Sequence, residues 1–134
     1  MRSGSIVITL FVSIFLTFGS LGWGQVAGTA AMSGAVTDSS GAVVNGAEVI
    51  ARNLDTGVER SVKSDSAGKY VINQLPPGTF RVEVKARGFK NLLRSRVELP
   101  IGVTTTLDVQ LEVGGATETV EVAAEASKIG RAHV

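Results

Sequence analysis

The chain has 134 residues, 44% of them hydrophobic, with 13 basic and 12 acidic side chains and no cysteine. That length leaves room for one small domain, which excludes a large multi-part enzyme. The near-balance of charge offers nucleic acid no basic footprint, and without cysteine neither a disulfide nor a lipid-attachment thiol exists.

At the N-terminus, Arg2 precedes a continuous apolar stretch from Ile6 to Phe18, and small residues follow at Gly22 and Gly24. A charged start, a greasy middle and a small-residue exit are the order of a secretory signal. Residues 1–24 are therefore expected to be removed, with a second cleavage point after Ala30. The apolar run is short for a spanning helix, which needs about 20 residues. Arg2 is the only charge in the leader, so its loss leaves 12 basic against 12 acidic residues. An exported domain without disulfides has to be held by its apolar core alone.

Residues 25–32 read as a short lead-in, after which β-rich runs alternate with Gly, Asp, Asn and Pro at the spacing of a sandwich or barrel. The clearest strand sets Phe80, Val82, Val84 and Ala86 against Arg81, Glu83 and Lys85, a period of two that buries one face and wets the other. A second sets Leu107, Val109, Leu111 and Val113 against Asp108, Gln110 and Glu112. Weaker runs lie at 31–37, 47–53, 58–64, 69–73 and 92–99, which makes seven expected strands.

The intervening turns have a mechanism. Asp38-Ser39-Ser40-Gly41 and Asp65-Ser66-Ala67-Gly68 put Asp first and Gly fourth, the preferred ends of a type I turn. Asn45-Gly46 and Asp55-Thr56-Gly57 are similar punctuation. Pro76-Pro77-Gly78 is expected to be a stiff loop, because two prolines fix the chain and donate nothing to a ladder.

Residues 33–113 resemble the carboxypeptidase regulatory-like family. The resemblance rests on Ser33-Gly34-Ala35-Val36-Thr37-Asp38, Gly41 and Asn45-Gly46-Ala47-Glu48-Val49. It continues through Gly68, Tyr70, Ile72, Leu75, Pro77-Gly78, Phe80 and Val82, then Ala86, Gly88 and Phe89. It implies an all-β fold, a seven-stranded antiparallel Greek-key sandwich of the transthyretin-like type. It also implies an accessory module that accompanies another domain, such as the plug and barrel of a TonB-dependent outer-membrane receptor farther along the same native chain.

Residues 114–127 read as a linker. Within it, Glu118-Thr119-Val120-Glu121-Val122-Ala123-Ala124 resembles a TonB box, an acidic residue and Thr followed by spaced valines and alanine. The resemblance implies TonB as a partner, with Glu118, Thr119, Val120, Val122 and Ala124 as the contact residues, while Glu121 departs from the commoner apolar or Thr residue. The implied mechanism is β-augmentation, in which main-chain bonds give affinity and alternate side chains give selectivity. The same residues also suit a plain linker or an eighth strand, and the Gly114-Gly115 break favours a detachable segment. Residues 128–134 carry no pattern and resemble translated adapter sequence, so the native chain is expected to continue beyond Ser127.

Chemistry finds little to use. A Ser or Cys triad needs a base beside its nucleophile, yet the single histidine is His133, in the suspect tail. A zinc site needs His or Cys ligands, so the peptidase activity of the family's namesakes does not carry over. Asp38, Asp55 and Asp65 could supply oxygen to calcium, but each is already explained by a turn. No catalytic residue, metal or cofactor is expected.

Two surface features remain. Arg81, Lys85, Arg87, Lys90, Arg94 and Arg96, opposed only by Glu83, could form a basic face for anionic lipid or a partner, or a solvated sheet face with edge-protecting charges. A secreted carbohydrate-binding sandwich is the alternative function, with glycan as partner, since fold alone does not separate the two. Beyond the leader the aromatic residues are Tyr70, Phe80 and Phe89, all at positions expected to be buried or to anchor loops. The reading is an exported, non-catalytic module at the periplasmic face of the outer membrane.

Overall fold

The computed structural model describes residues 28–123, which form nine β-strands. In chain order they are β1 (Ala30–Asp38), β2 (Glu48–Asn53), β3 (Glu59–Lys63), β4 (Lys69–Leu75) and β5 (Gly78–Lys85). They continue as β6 (Asn91–Leu99), β7 (Thr104–Thr106), β8 (Val109–Leu111) and β9 (Thr119–Val122). The expected leader at 1–24, Ala124 and the tail at 128–134 lie outside the described residues.

Two sheets face one another. β1 is the hub of the first, flanked by antiparallel β4 on one side and by parallel β7 and β8 at successive positions on the other. The second has the order β3-β2-β5-β6-β9, antiparallel except for its last pair. Alternation does what it predicts: Phe80, Val82 and Val84 on β5 are fully buried, as are Val49 and Ala51 on β2. They meet Met32, Val36, Ile72, Val109 and Leu111 of the first sheet in one apolar core.

The all-β sandwich agrees with the sequence reading, but the strand count and the purely antiparallel pairing do not. Nine strands replace seven, and three pairings are parallel. The expected strand at 107–113 is shortened to Val109–Leu111, and Leu107-Asp108 separate it from the unforeseen β7, so that β7 and β8 meet β1 separately. Hydrogen bonds between residues far apart in sequence frame the break. Leu107 N–H donates to Ser33 O at 2.7 Å, and the Asp108 carboxylate accepts from Ala35 N–H at 2.9 Å. Val113, expected inward, is 73% exposed because it lies past the end of β8 and bridges Phe89 alone.

Gly34 explains why the break sits there. A Cβ at this position would lie 1.9 Å from Leu107 O, so only glycine lets the two backbones approach. The Tyr70 hydroxyl reaches over the same gap and donates to Leu107 O. Burial pushes the Tyr70 phenol well above its ordinary range, with the Asp108 carboxylate adding to the push. It stays a neutral donor at any physiological pH.

The turns follow their chemistry, with one correction. Asp38 Oδ1 accepts from Ser40 Oγ, Ser40 N–H and Ala42 N–H, and the Ser40 hydroxyl leads in holding its carboxyl below the usual range. Asp65 Oδ1 accepts from Ala67 N–H and Lys69 N–H. In the third turn the organiser is buried Asn53 in place of Asp55, its Oδ1 accepting from Asp55 N–H and Thr56 N–H at 2.9 Å each. Buried Ser64 ties the Val44–Ala47 corner, donating to Val44 O and accepting from Ala47 N–H. Pro76-Pro77 forms the expected loop, and Gly78 already opens β5.

Candidate functional site

The segment that resembles a TonB box is in contact with the sandwich, and its position follows from the turn that precedes β6. At Gly88 the backbone adopts φ +83°, the chain reverses, and Phe89 N–H closes on Ala86 O. Phe89 packs half-buried against the core. Lys90 and Asn91 then emerge at the rim of the second sheet, facing the strand that leaves β8.

These two residues gather the passing segment. Lys90 N–H donates to Glu112 O at 2.8 Å, and its ammonium meets the Glu112 carboxylate at 3.3 Å and the Glu118 carboxylate at 3.5 Å. The Glu112 hydrogen bond leads in raising the Lys90 ammonium above its usual range, with the Glu118 charge contributing. Gly114 lies on the Lys90 stem so closely that a Cβ there would come within 2.4 Å of Lys90 Cγ. The Asn91 side chain donates to Ala116 O at 3.0 Å, and Asn91 N–H donates to Glu118 O at 2.9 Å. A turn closed by Glu118 N–H on Gly115 O aims the chain along the open edge of β6.

β9 follows in parallel register, with Asn91, Leu92, Leu93 and Arg94 opposite Thr119, Val120, Glu121 and Val122. Leu92 is buried, so Val120 beside it and Val122 two residues on turn to the core face, where both are half-buried and Val122 packs on the core. Thr119 and Glu121 are exposed on the outer face. Of the five predicted contact residues, four are therefore on or beside one edge strand: Glu118 in the ion pair, Thr119 outward, Val120 and Val122 inward. Of the linker and the eighth strand left open by the sequence, Thr119–Val122 takes the strand form. What the sequence missed were Lys90 as a bridge and Asn91 as a clamp, since neither residue signals contact with a segment more than 20 positions away.

The six predicted basic residues do not share one face. Arg94 stands opposite Val82 on the core side, its Nε buried without a hydrogen-bond partner. A β-bulge between Phe80 and Val82 accompanies that change of phase in β6. Lys85 pairs with Glu83 at 3.3 Å, Arg96 with Glu98 at 3.2 Å, and Lys90 is taken up as above. Arg81 is exposed on β5, while Arg87 joins Lys85, Lys63, Glu48 and Asn91 around a shallow cleft of about 410 Å³. Among the described residues no group of three or more His, Cys, Asp or Glu side chains is arranged to hold a metal ion.

Comparison with known proteins gives this arrangement its context. Over 64 residues, 48% of this chain, the sequence is 34% identical to the TonB-dependent transporter Oar of Myxococcus xanthus, of which the match spans 6%. Among solved structures, catechol 1,2-dioxygenase of Acinetobacter radioresistens aligns at a TM-score of 0.53 and 14% identity, over 76% of this chain and 56% of the enzyme's. A putative carbohydrate binding protein from Bacteroides uniformis aligns at 0.53 and 17% identity, over 63% and 41% of the two chains. At such identities the likeness is one of fold. Residues 31–112 match the sequence profile of the carboxypeptidase regulatory-like domain, and with more than half its length inside that match the chain belongs to the carboxypeptidase regulatory-like domain family.

Proposed function

We propose that this chain is the N-terminal part of a TonB-dependent outer-membrane transporter, its sandwich a non-catalytic accessory module at the periplasmic face. Residues 118–124 form the segment that TonB recruits. The observation that carries the reading is the 34% identity to a TonB-dependent transporter across a stretch that makes up only 6% of that relative. A short match to a very long chain is what a shared accessory module produces. Plug and barrel belong to the rest of the native chain, which sets the substrate.

The geometry supports the TonB reading through backbone form. Thr119–Val122 is extended and alternates an outer Thr and Glu with inner valines, the shape an added strand needs. Residues 1–24 act as the export signal on this reading, and cleavage after Gly24 suits the fold better than cleavage after Ala30. Ala30 is buried and opens β1 opposite Leu75.

The carbohydrate-binding alternative has a structural neighbour's description in its favour. Against it, Tyr70 is 3% exposed and Phe80 fully buried, so neither offers a flat ring to a sugar. The experiment is direct. A peptide of residues 116–126 should bind the C-terminal domain of TonB, and Val120→Pro should abolish binding by removing a strand donor. Equal binding by both peptides rejects β-augmentation, and glycan binding by the sandwich with no TonB binding favours the alternative.

A further inference from the structure

We propose that the sandwich keeps residues 118–122 as its own edge strand, in competition with TonB, and that Lys90 and Asn91 are the latch. The inference rests on the TonB reading above and goes past it, because it assigns that segment a second, intramolecular partner and names the residues that hold it.

A strand joins another sheet through one row of main-chain donors and acceptors, and it is recognised through alternate side chains. Docking on β6 spends one such row: Glu118 O already accepts from Asn91 N–H, and the parallel register runs on to Arg94 opposite Val122. It also spends the side chains, since Val122 packs on the core and Val120 lies half-buried beside Leu92. A partner that reads both valines meets them only after β9 has left β6.

The hold is built to be broken. Thr119–Val122 contains no fully buried side chain and has one neighbouring strand. Its fastening is concentrated at the near end, in the Lys90–Glu118 ion pair, the Asn91–Ala116 bond and the Gly114 contact with the Lys90 stem. Exposed pairs of this kind are weak one by one, so the docked strand is in equilibrium with a released one. Affinity for TonB then scales with the released fraction. Lys90 and Asn91 are positioning residues: Lys90 holds the Glu118 carboxylate and Asn91 the Ala116 carbonyl, at the near end of the segment and ahead of the two valines.

The test locks the strand. The chain has no cysteine, so Leu93→Cys with Glu121→Cys, aligned across the β6–β9 pair, introduces the sole disulfide. Binding of the TonB C-terminal domain is measured for the 116–126 peptide, the full chain, the oxidised and reduced double-cysteine chain, and a Lys90→Ala, Asn91→Ala chain. The full chain should bind about tenfold or more weaker than the peptide, as a mostly docked strand requires. Oxidation should remove binding, reduction should restore it, and the latch variant should approach the peptide while keeping its thermal midpoint. Hydrogen exchange at the Val120 and Val122 amides should speed up in the latch variant with no TonB present. Equal binding by oxidised and reduced chains overturns the proposal, because TonB would then be adding to the open edge of a docked β9. Failure of the free peptide to bind overturns the TonB reading itself and the competition with it, while the exchange result still reports whether the latch holds.

Discussion

β5 and β9 belong to the same sheet and share the same alternation, yet one is fixed and the other detachable. β5 is paired on both sides, by β2 and β6, and buries Phe80, Val82 and Val84 completely. β9 is paired on one side, and its Val120 and Val122 remain half-buried. Alternating side chains specify that a segment is extended and which face turns inward. They do not specify how firmly it stays, which depends on how many neighbours bond it and how much apolar surface it removes from water.

The largest loss of stability is expected at β5. Phe80→Ala opens a cavity at the centre of the core and should cost about 3–5 kcal/mol. Chemical denaturation should show that loss as a fall in the global midpoint, and a loss under about 1 kcal/mol would mean that the ring is not the anchor its burial implies. A second substitution asks whether the first sheet is as tightly built as the centre of the second. Gly34→Ala drives a methyl into Leu107 O and should cost roughly 1–3 kcal/mol, read from the same denaturation curve. A neutral result would mean that β1 and the Leu107 corner separate easily.

The smallest effect sharpens the β9 side. Because the Lys90 pKa is raised on folding, its contribution is complete below the ordinary lysine value. It fades as pH climbs through that value and is lost above the raised one. In strongly alkaline buffer, exchange-protected amides should disappear first at Val120 and Val122, with β5 still protected. Because amide exchange is intrinsically base-catalysed, each site is compared with a Lys90→Ala chain at the same pH. Below the ordinary lysine value the Lys90→Ala chain should be the less protected, and the two should converge in alkaline buffer; identical protection at the lower pH would remove Lys90 from the latch.

How much of this could be read beforehand depends on the range over which each feature is determined. β5 was legible because Phe80, Val82 and Val84 carry their own pattern, and the turns at Asp38 and Asp65 because each carboxylate bonds backbone within four residues. The split between β7 and β8 was not legible. It is imposed by Tyr70, 37 positions from Leu107, and by Ala35, 73 positions from Asp108. The basic face failed for a related reason: closeness in sequence from Arg81 to Arg96 says nothing of a bulge that turns Arg94 toward the core beside Val82. The candidate segment at 118–122 was visible as a pattern, whereas its attachment through Lys90 and Asn91 depended on a turn that only the folded chain supplies.

The central position of β1 sets the order in which the module is able to assemble. Its nearest partner, β4, begins 31 residues after β1 ends, and its last, β8, pairs Val36 with Val109 across 73 residues. Contacts of such separation make folding slow, because loop closure is unfavourable before the contacts reward it. A chain emerging N-terminus first therefore carries β1 with no partner strand, only the local Thr37–Val43 bridge, until Lys69–Leu75 has appeared, and the first sheet stays incomplete until Leu111 follows. The sandwich closes only once nearly all of its sequence has arrived, so until then the chain is thread, the form that the proposed export requires.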